Sequence, residues 1–214
     1  MELAFKKLWD YLEENLFPIP TRPALFNQYR DRIEGVDLPD GPEIRRNNLR
    51  NYLASFPQKP PVVLVGETAG PWGGRFSGIA FTSERQLAKG LLPFKGAGSS
   101  THEPPYLEYS GNIVWKTLLP YFPKFLLWNA IPLLVHKPGR PLSIRRPEEE
   151  ELIEFTPILK QVLAILMPET VLAVGKSAQY ALNFLKVKNI YVRHPSQHGV
   201  NEFREGVERI FKNR

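Results

Sequence analysis

Four short apolar runs of this chain each end in residues whose types could do chemistry. Glycine allows close backbone approach, an Asn amide offers both a donor and an acceptor, and a His ring can donate or accept a proton. Parallel strands bring their carboxyl ends to one edge of an open sheet, where such sheets place ligand sites. If the runs are parallel strands, one pocket would be lined by the sets 66–70, Trp128-Asn129, Gly175-Lys176-Ser177 and His194-Pro195-Ser196.

The first set continues into a glycine-rich segment, residues 66–82, with five glycines in its first 13 positions. So many glycines directly after a strand indicate that the backbone approaches something closely. The segment ends at Phe81 and Thr82. Aromatic faces hold flat ligands such as bases, and backbone amides hold anions, so the segment has both parts of a nucleotide pocket. The alternative is a glycine-rich surface loop.

Two other patterns are poor candidates for separate sites. Gly175-Lys176-Ser177 lacks the earlier glycine that a phosphate-binding loop needs, because Thr170 stands at that position. We interpret it as a strand-to-helix turn, with Ser177 as a candidate helix cap. His194 and His198 are four residues apart, but Pro195 opposes a helix that would bring them to one metal ion.

The apolar runs predict buried strands, with helical patterns between them. Each run is short, continuous and bounded by Pro, Gly or polar residues, as expected for strands covered on both faces. The alternation predicts an α/β fold, a three-layer α/β/α sandwich around a central, mainly parallel four-stranded sheet. The predicted strands are 62–66, 125–128, 171–174 and 190–192, and the predicted helices between them are 113–119, 149–166 and 178–185.

A single domain, 1–214, is expected, with residues 1–60 as a helical N-terminal extension packed on it. Apolar residues at helical spacing indicate a helix over 3–16, and a second helical run covers about 43–56. The stretch 90–111 predicts a long exposed loop. We interpret three arginines of the second run as a solvated helix face rather than a phosphate site: Arg45, Arg46 and Arg50.

The composition narrows the class of protein. The net charge is +6, from 28 Lys and Arg against 22 Asp and Glu, which favours an anionic partner such as nucleic acid. The absence of cysteine excludes disulfides, thiolate nucleophiles and cysteine-ligated clusters. No run approaches the roughly 18 apolar residues of a membrane span, and residues 1–7 carry charges instead of a signal-peptide core. We therefore expect a cytoplasmic protein with no membrane partner and no cofactor.

The glycine-rich segment, Asn129 and His194-Pro195-Ser196, in that order, resemble the motifs of the uracil-DNA glycosylase superfamily. The most similar pattern is that of the thermophile-type families four and five, Gly-x-Ala-Pro-Gly-x-x-Gly-x-x-x-Thr-Gly-x-Pro-Phe-Thr. The resemblance covers about residues 61–205. This chain keeps the register at Gly66, Gly70, Gly73, Gly78, Phe81 and Thr82, with Ser77 in place of Thr.

Two departures from the family pattern affect the expected chemistry. Thr68-Ala69 stands where many members have an Asp or Asn at the third motif position, or a small residue followed by Pro. The group that activates water is therefore open between Glu67, Glu84 and Thr68. Related branches ligate an iron-sulfur cluster through four cysteines, so this cysteine-free chain would be a cluster-free variant.

By resemblance, three side chains and two glycines would form the base pocket. His194 would donate to the uracil O2 as the base leaves as an anion. Phe81 would stack on the ring, and Asn129 would contact the Watson–Crick edge, matching uracil O4 and N3–H and mismatching cytosine. Gly66 and Gly70 would let the backbone approach the base.

The resemblance also implies a DNA surface around the last loop. Ser196, Gln197 and His198 lie where family members contact DNA, and His198 is the candidate wedge that fills the space of the flipped base. The alternative for this loop is a plain turn before the final helix. The basic residues expected at the edge of the pocket are Arg75, Lys176 and Arg193.

These expectations describe a monomeric, monofunctional DNA glycosylase of base excision repair, associated with the nucleoid when acting. Its partner would be DNA containing uracil or another damaged base, and it would hydrolyse the N-glycosidic bond after flipping that base out of the duplex. Two alternatives stay open. One is a nucleic-acid-binding member that has lost the chemistry, since Thr68-Ala69 lacks the usual polar group. The other is a small-molecule nucleotide hydrolase on a similar sheet.

Overall fold

Four of the apolar runs form one parallel sheet at the centre of the protein. The structure, a computed structural model, describes residues 2–196 and 198–212. The strands of the sheet are β2 (Val62–Thr68), β3 (Phe125–Ile131), β5 (Thr170–Val174) and β6 (Ile190–Val192), and a separate ribbon pairs β1 (Leu25–Phe26) with β4 (Leu134–Val135). The order across the sheet is β3-β2-β5-β6, all parallel, which confirms the predicted strands and their direction.

The helices alternate with these strands along the chain. They are α1 (Leu3–Asn15), α2 (Gly41–Ala54), α3 (Gly74–Ser77), α4 (Glu84–Ala88), α5 (Tyr109–Leu118), α6 (Glu149–Glu154), α7 (Thr156–Leu166), α8 (Lys176–Phe184) and α9 (Val200–Phe211). The predicted helix over 149–166 is present as two helices, because Pro157 opens a new first turn in α7. Within the described residues, no helix has the length and apolar character needed to cross a membrane.

Helices cover both faces of the sheet. On one face, α8 contacts β2, β3 and β5 and packs beside α6. The last helix, α9, contacts β6 and packs against α5. The chain passes from β2 to β3 in one direction across the sheet and from β3 to β5 and β6 in the other. Right-handed crossovers therefore place α5 on the face opposite to α8. The predicted three-layer α/β/α architecture is confirmed.

A buried ion cluster joins the N-terminal region to the glycine-rich segment. The Asp37 carboxylate accepts hydrogen bonds from Arg45 at 2.7 Å and from Arg75 at 2.6 and 2.9 Å. All three side chains are fully buried. The interpretation of Arg45 as part of a solvated helix face is therefore wrong, because its guanidinium points inward from α2 to satisfy Asp37.

The predicted exposed loop over 90–111 is partly buried. Phe94 is 8% exposed and packs in the core, and Ser99 is fully buried. The Ser99 hydroxyl donates to the Phe76 carbonyl and accepts from Arg45. These contacts fasten the loop to α2 and α3, so small polar residues that indicated solvent exposure are in fact used for interior hydrogen bonds.

Candidate active site

The carboxyl ends of β2 and β3 meet at a position where only glycine fits. Gly66 of β2 is paired in register with Asn129 of β3. A Cβ on Gly66 would lie 2.6 Å from the Asn129 Oδ1 atom and 2.6 Å from the Phe81 Cε2 atom. Carbon and oxygen atoms cannot approach so closely without displacement, so Gly66 lets Phe81 and Asn129 come together over the end of the sheet.

Phe81 is held in an unusual backbone conformation. Its φ is +53°, in the left-handed region that a bulky side chain rarely adopts. The residue is 7% exposed, and its ring centroid lies 5.9 Å from that of His194 at an interplanar angle of 36°. Such conformations persist where the surrounding structure enforces them, and they cluster at functional sites.

The contacts of His194 determine which ring nitrogen carries its proton. The backbone N–H of Ser196 donates to Nδ1 at 3.2 Å, and the Ser196 hydroxyl lies 2.8 Å from the same atom. Nδ1 is therefore the acceptor, and the proton of the neutral ring is on Nε2. Burial lowers the pKa of His194 to about 4, so the ring is neutral at physiological pH. The result is an uncharged imidazole with an Nε2–H donor.

Asn129 has an amide available to a ligand. The residue is 5% exposed, and its side chain makes no hydrogen bond to any residue that the structure describes. A nearly buried amide without a protein partner is costly unless water or a ligand satisfies it. The arrangement can therefore hold a flat heterocycle by one ring face and one polar edge.

The three candidates for activating water have different surroundings. Glu67, at the end of β2, is half-buried, and its Oε2 accepts a hydrogen bond from the Ser177 hydroxyl on α8. Thr68 donates to the Leu133 carbonyl at 2.5 Å and accepts from the Val135 N–H, so it ties β2 to β4 and to the residue before it. The Ser177 bond also corrects the expectation that Ser177 caps α8: the residue at the cap position is Gly175, with φ +91°.

Glu84, the third candidate, lies in the interior beside the 99–106 loop. It is 1% exposed, and its carboxylate accepts from the Ser100 hydroxyl. Burial raises its pKa, against hydrogen bonds from Ser100 and from the backbone of Ser99, Ser100 and Tyr106. These contacts place Glu84 with the loop and not with the described neighbours of Phe81, Asn129 and His194.

Several residues predicted to bind DNA are on the surface near the pocket. Lys176, Arg193 and His198 are exposed, and Ser196 is half-buried through its bonds to His194. His198 has a φ of +64°, which marks a sharp turn before α9. Gln197 lies outside the described residues.

Arg75 is not on the surface. Its side chain is fully buried, paired with Asp37, and its guanidinium lies 4.1 Å from the ring centroid of Phe26 and 4.6 Å from that of Phe76. The prediction that Arg75 contacts DNA is wrong, since a phosphate cannot reach this group. The sequence carries no sign of this, because the buried partner is Asp37, 38 residues earlier.

Glu108 is a buried carboxyl that sequence reasoning missed. A Cβ on Gly70 would lie 2.9 Å from its Cδ atom, and one on Gly111 would lie 3.1 Å from its Oε2 atom. Gly70, predicted to line the base, thus makes room for Glu108. Burial raises the pKa of Glu108 to about 7, against a hydrogen bond from Ser110. The sequence feature that could have indicated a buried carboxyl is a lone acidic residue between Leu107 and Tyr109.

Comparison with known proteins agrees with this architecture. The model of the Uracil DNA glycosylase superfamily matches residues 53–212. No curated protein sequence matches the chain. Among solved structures, wild-type SMUG2 of Pedobacter heparinus superposes with a TM-score of 0.64 at 12% identity, over 100% of this chain and 98% of that chain. At this identity the likeness to SMUG2 shows the fold alone. Because the family model covers most of its length, the chain belongs to the uracil DNA glycosylase superfamily.

Proposed function

We propose that the protein is a monofunctional DNA glycosylase that hydrolyses the N-glycosidic bond of uracil, or of a closely related damaged base, flipped out of DNA. The observation that carries the proposal is the state of His194, a neutral ring with its proton on Nε2, packed beside the Phe81 ring. The Asn129 amide adds an unpaired polar edge to the same pocket.

Base selection follows from Phe81 and Asn129. The Phe81 ring offers a face on which a flipped base stacks, with the backbone at Gly66 close beneath it. The Asn129 amide offers one donor and one acceptor, which match uracil O4 and N3–H. Cytosine presents an amino group and an unprotonated N3 at these positions, so it would leave the buried amide mispaired.

Bond cleavage follows from His194. When the N-glycosidic bond breaks, the base takes the electron pair and becomes an anion. A donor aimed at the oxygen that gathers this charge stabilises the transition state more than the bound substrate. Because its pKa is about 4, His194 acts as a neutral donor and does not have to lose a proton first.

Water placement is assigned to Glu67. One of its carboxylate oxygens is held by Ser177, while the other makes no hydrogen bond within the described part of the chain. The Thr68 hydroxyl is bonded to the Leu133 carbonyl, and Glu84 is 1% exposed beside the 99–106 loop, where Ser100 donates to it. Glu67 is thus the candidate carboxylate best able to orient a water toward the sugar carbon and accept its proton.

The surroundings of the pocket fit a nucleic acid partner. Lys176 and Arg193 are exposed next to the ends of β5 and β6, where they can contact phosphates. We propose that the protein acts as a monomer on DNA inside the cell.

Single-turnover excision from a labelled oligonucleotide with one uracil tests the proposal. The variant His194→Ala removes the donor and should lower the rate about a hundredfold to a thousandfold, by analogy with oxyanion-hole deletions. The variant His194→Gln restores an N–H donor and should recover part of the rate. Affinity for the oligonucleotide should change only a few fold in both.

Thermal melting on the same preparations separates catalysis from stability. Because the Ser196 N–H bond to His194 also stabilises the turn, His194→Ala should melt at a lower temperature even if the ring has no catalytic role. Normal excision by the folded fraction of His194→Ala would refute the catalytic role.

A binding protein without chemistry is the second candidate, and one observation favours it. Thr68, which stands where many members have an Asp or Asn, uses its hydroxyl to bond the Leu133 carbonyl. If this candidate is correct, the wild-type protein binds uracil-containing DNA and releases no base in the same assay. Product formation that exceeds the no-enzyme control and disappears in Glu67→Gln excludes it.

A further inference from the structure

A stack of aromatic rings lies on the surface and has no role in the proposed chemistry. The Tyr106 ring is stacked with His102 at 4.2 Å and with Phe76 at 4.7 Å, with interplanar angles of 20° and 24°. The Trp72 ring lies 4.9 Å from Tyr106 at 40°. Phe76 is fully buried, whereas His102 is exposed and Trp72 is 39% exposed. We call Trp72, His102 and Tyr106 the aromatic platform; it is anchored in the core through Phe76.

The aromatic platform adjoins the candidate base pocket. Trp72 lies in the turn between Gly70 and Gly73, and the Glu108 carboxyl packs against both glycines. The Oε2 atom of Glu108 lies 3.1 Å from the Cβ position of Gly111, which itself lies 2.9 Å from the Phe81 carbonyl carbon. A short series of contacts thus leads from the platform to the residue that carries the pocket ring.

The chemistry of the platform fits a nucleobase. Near-parallel rings with an exposed outer member present a flat face to solvent, and every base has a matching π-face. A cation stands beside the same loop, because Arg85 donates through Nε to the Pro105 carbonyl and extends its guanidinium nearby. With a net charge of +6, the protein also attracts a polyanion.

We propose that the aromatic platform stacks an unpaired base of the strand that carries the excised base. A base inside a duplex already has both faces covered by its neighbours, so only an unpaired one can stack on protein rings. The protein should therefore bind single-stranded DNA more tightly than the duplex. This inference rests on the proposed function, since it takes the strand in the pocket to be DNA.

Equilibrium binding of labelled DNA without uracil tests the platform. Trp72→Ala should weaken binding of a single-stranded oligonucleotide about 5-fold to 150-fold, the range for one base–aromatic stack. Trp72→Phe keeps a ring and should bind almost normally. Binding of the matching duplex should change less than twofold in both variants.

One further test variant and one control variant complete the binding experiment. His102→Ala removes an exposed ring of the same stack, so it should weaken single-strand binding even if Trp72→Ala folds poorly. Phe184→Ala is the matched control: Phe184 is 51% exposed but ends α8, at the opposite edge of the sheet from the pocket. It should leave binding of both DNA forms unchanged.

Tryptophan emission gives a second readout that does not depend on activity. Trp9, Trp115 and Trp128 are 4%, 2% and 3% exposed, whereas Trp72 is 39% exposed. Stacking of a base on the platform should quench the emission of Trp72, and Trp72→Phe should lose this quenching while still binding.

The outcomes separate this inference from the proposed function. Uracil excision by the wild type together with unchanged single-strand affinity in Trp72→Ala and His102→Ala overturns the platform and leaves the glycosylase proposal standing. Weakened single-strand binding without any excision supports the platform and removes the glycosylase proposal. A concentration-dependent dimer that Trp72→Ala dissociates, with DNA binding intact, would show that the rings hold a second copy of the chain, which also overturns the inference.

Discussion

At the scale of the residue, hydrogen bonds decide what each side chain of the pocket can do. Ser196 occupies Nδ1 of His194 and leaves Nε2–H as the free donor. Asn129 keeps its amide unpaired, while Thr68, two residues after the strand partner of Asn129, has its hydroxyl bonded to Leu133. Two side chains of similar polarity thus differ in what they can bind. The backbone takes up the hydrogen bond of Thr68 and leaves the amide of Asn129 without a protein partner.

The pH dependence of His194 can be predicted from its environment. Its pKa is about 4 in the folded protein against 6.5 for an ordinary histidine. The unfolded chain therefore binds more protons between these values, so stability falls as the pH drops through this window, by up to about 3 kcal/mol. Urea denaturation should show this fall, and His194→Gln should flatten it.

Nitrogen-edited NMR tests the same prediction directly. Between pH 6 and 8 the His194 ring should stay neutral with its proton on Nε2, and single-turnover excision should show no step from this group. A titration of the His194 ring near pH 6.5 would contradict the prediction.

Asn129 determines the choice of base in the proposed function. In Asn129→Asp the carboxylate can accept from the cytosine amino group but can no longer donate to uracil O4. Uracil excision should fall roughly tenfold to a hundredfold, the value of one buried hydrogen bond, and the uracil-to-cytosine ratio should narrow. Asn51→Asp, at an exposed position of α2, is the control. An unchanged ratio would show that Asn129 only ends its strand.

At the scale of the element, the parallel sheet brings distant motifs to one edge. β2, β3, β5 and β6 run in the same direction, so the residues that follow them meet although they are far apart in the chain. The meeting of β2 and β3 is the tightest of these, because Gly66 and Asn129 are paired and Phe81 lies over them.

Gly66→Ala should fill the space in which Phe81 and Asn129 approach the backbone of β2. The added methyl would lie 2.6 Å from Asn129 Oδ1 and from Phe81 Cε2, so the Phe81 ring must move out of place. We expect a stability loss of about 1 to 3 kcal/mol, as for other overpacked cores, and a fall in excision of at least about tenfold, since small misplacements at an active site are costly. The matched control is Gly98→Ala, whose methyl would meet Glu84 at an ordinary 3.4 Å. Excision that survives Gly66→Ala would show that Phe81 does not stack on the substrate.

At the scale of the whole molecule, the Asp37 cluster fastens the N-terminal region to the glycine-rich segment. Arg45 reaches Asp37 from α2 and Arg75 reaches it from α3, and all three are fully buried. Burial opposes ionisation of Asp37, but the hydrogen bonds and charges of Arg75 and Arg45 hold the pKa of this carboxyl below its usual value. The cluster therefore stabilises the protein above the unfolded pKa of 3.8, and this contribution is lost as the pH falls through the lower folded value.

Asp37→Asn should destabilise the whole protein, because it leaves two buried guanidinium groups without a counter-charge. Removing one partner of a buried ion pair costs about 3 to 5 kcal/mol. Glu154→Gln is the control, since the Arg22–Glu154 pair is 43% and 47% exposed and such pairs contribute only about 0 to 1 kcal/mol. Urea denaturation at pH 7 measures both, and similar losses in the two variants would contradict the prediction.

By itself the sequence determined the order of the strands along the chain, the parallel α/β class and the three motifs at the strand ends. These follow from apolar periodicity and chain direction, which are local properties of the chain. Because parallel strands share an edge, the meeting of Gly66, Phe81, Asn129 and His194 could also be predicted.

Only the tertiary structure decided which polar side chains face inward and with what partner. Nothing in the sequence distinguishes Arg45 and Arg75 from surface arginines, yet both are buried and paired with Asp37. Glu84 is bonded to a loop, Glu108 fills a space left by glycines, and the proton of His194 is placed by Ser196. The physical reason is that burial and pairing depend on which distant surfaces fold together, and a charge has no periodicity that would reveal its partner in advance.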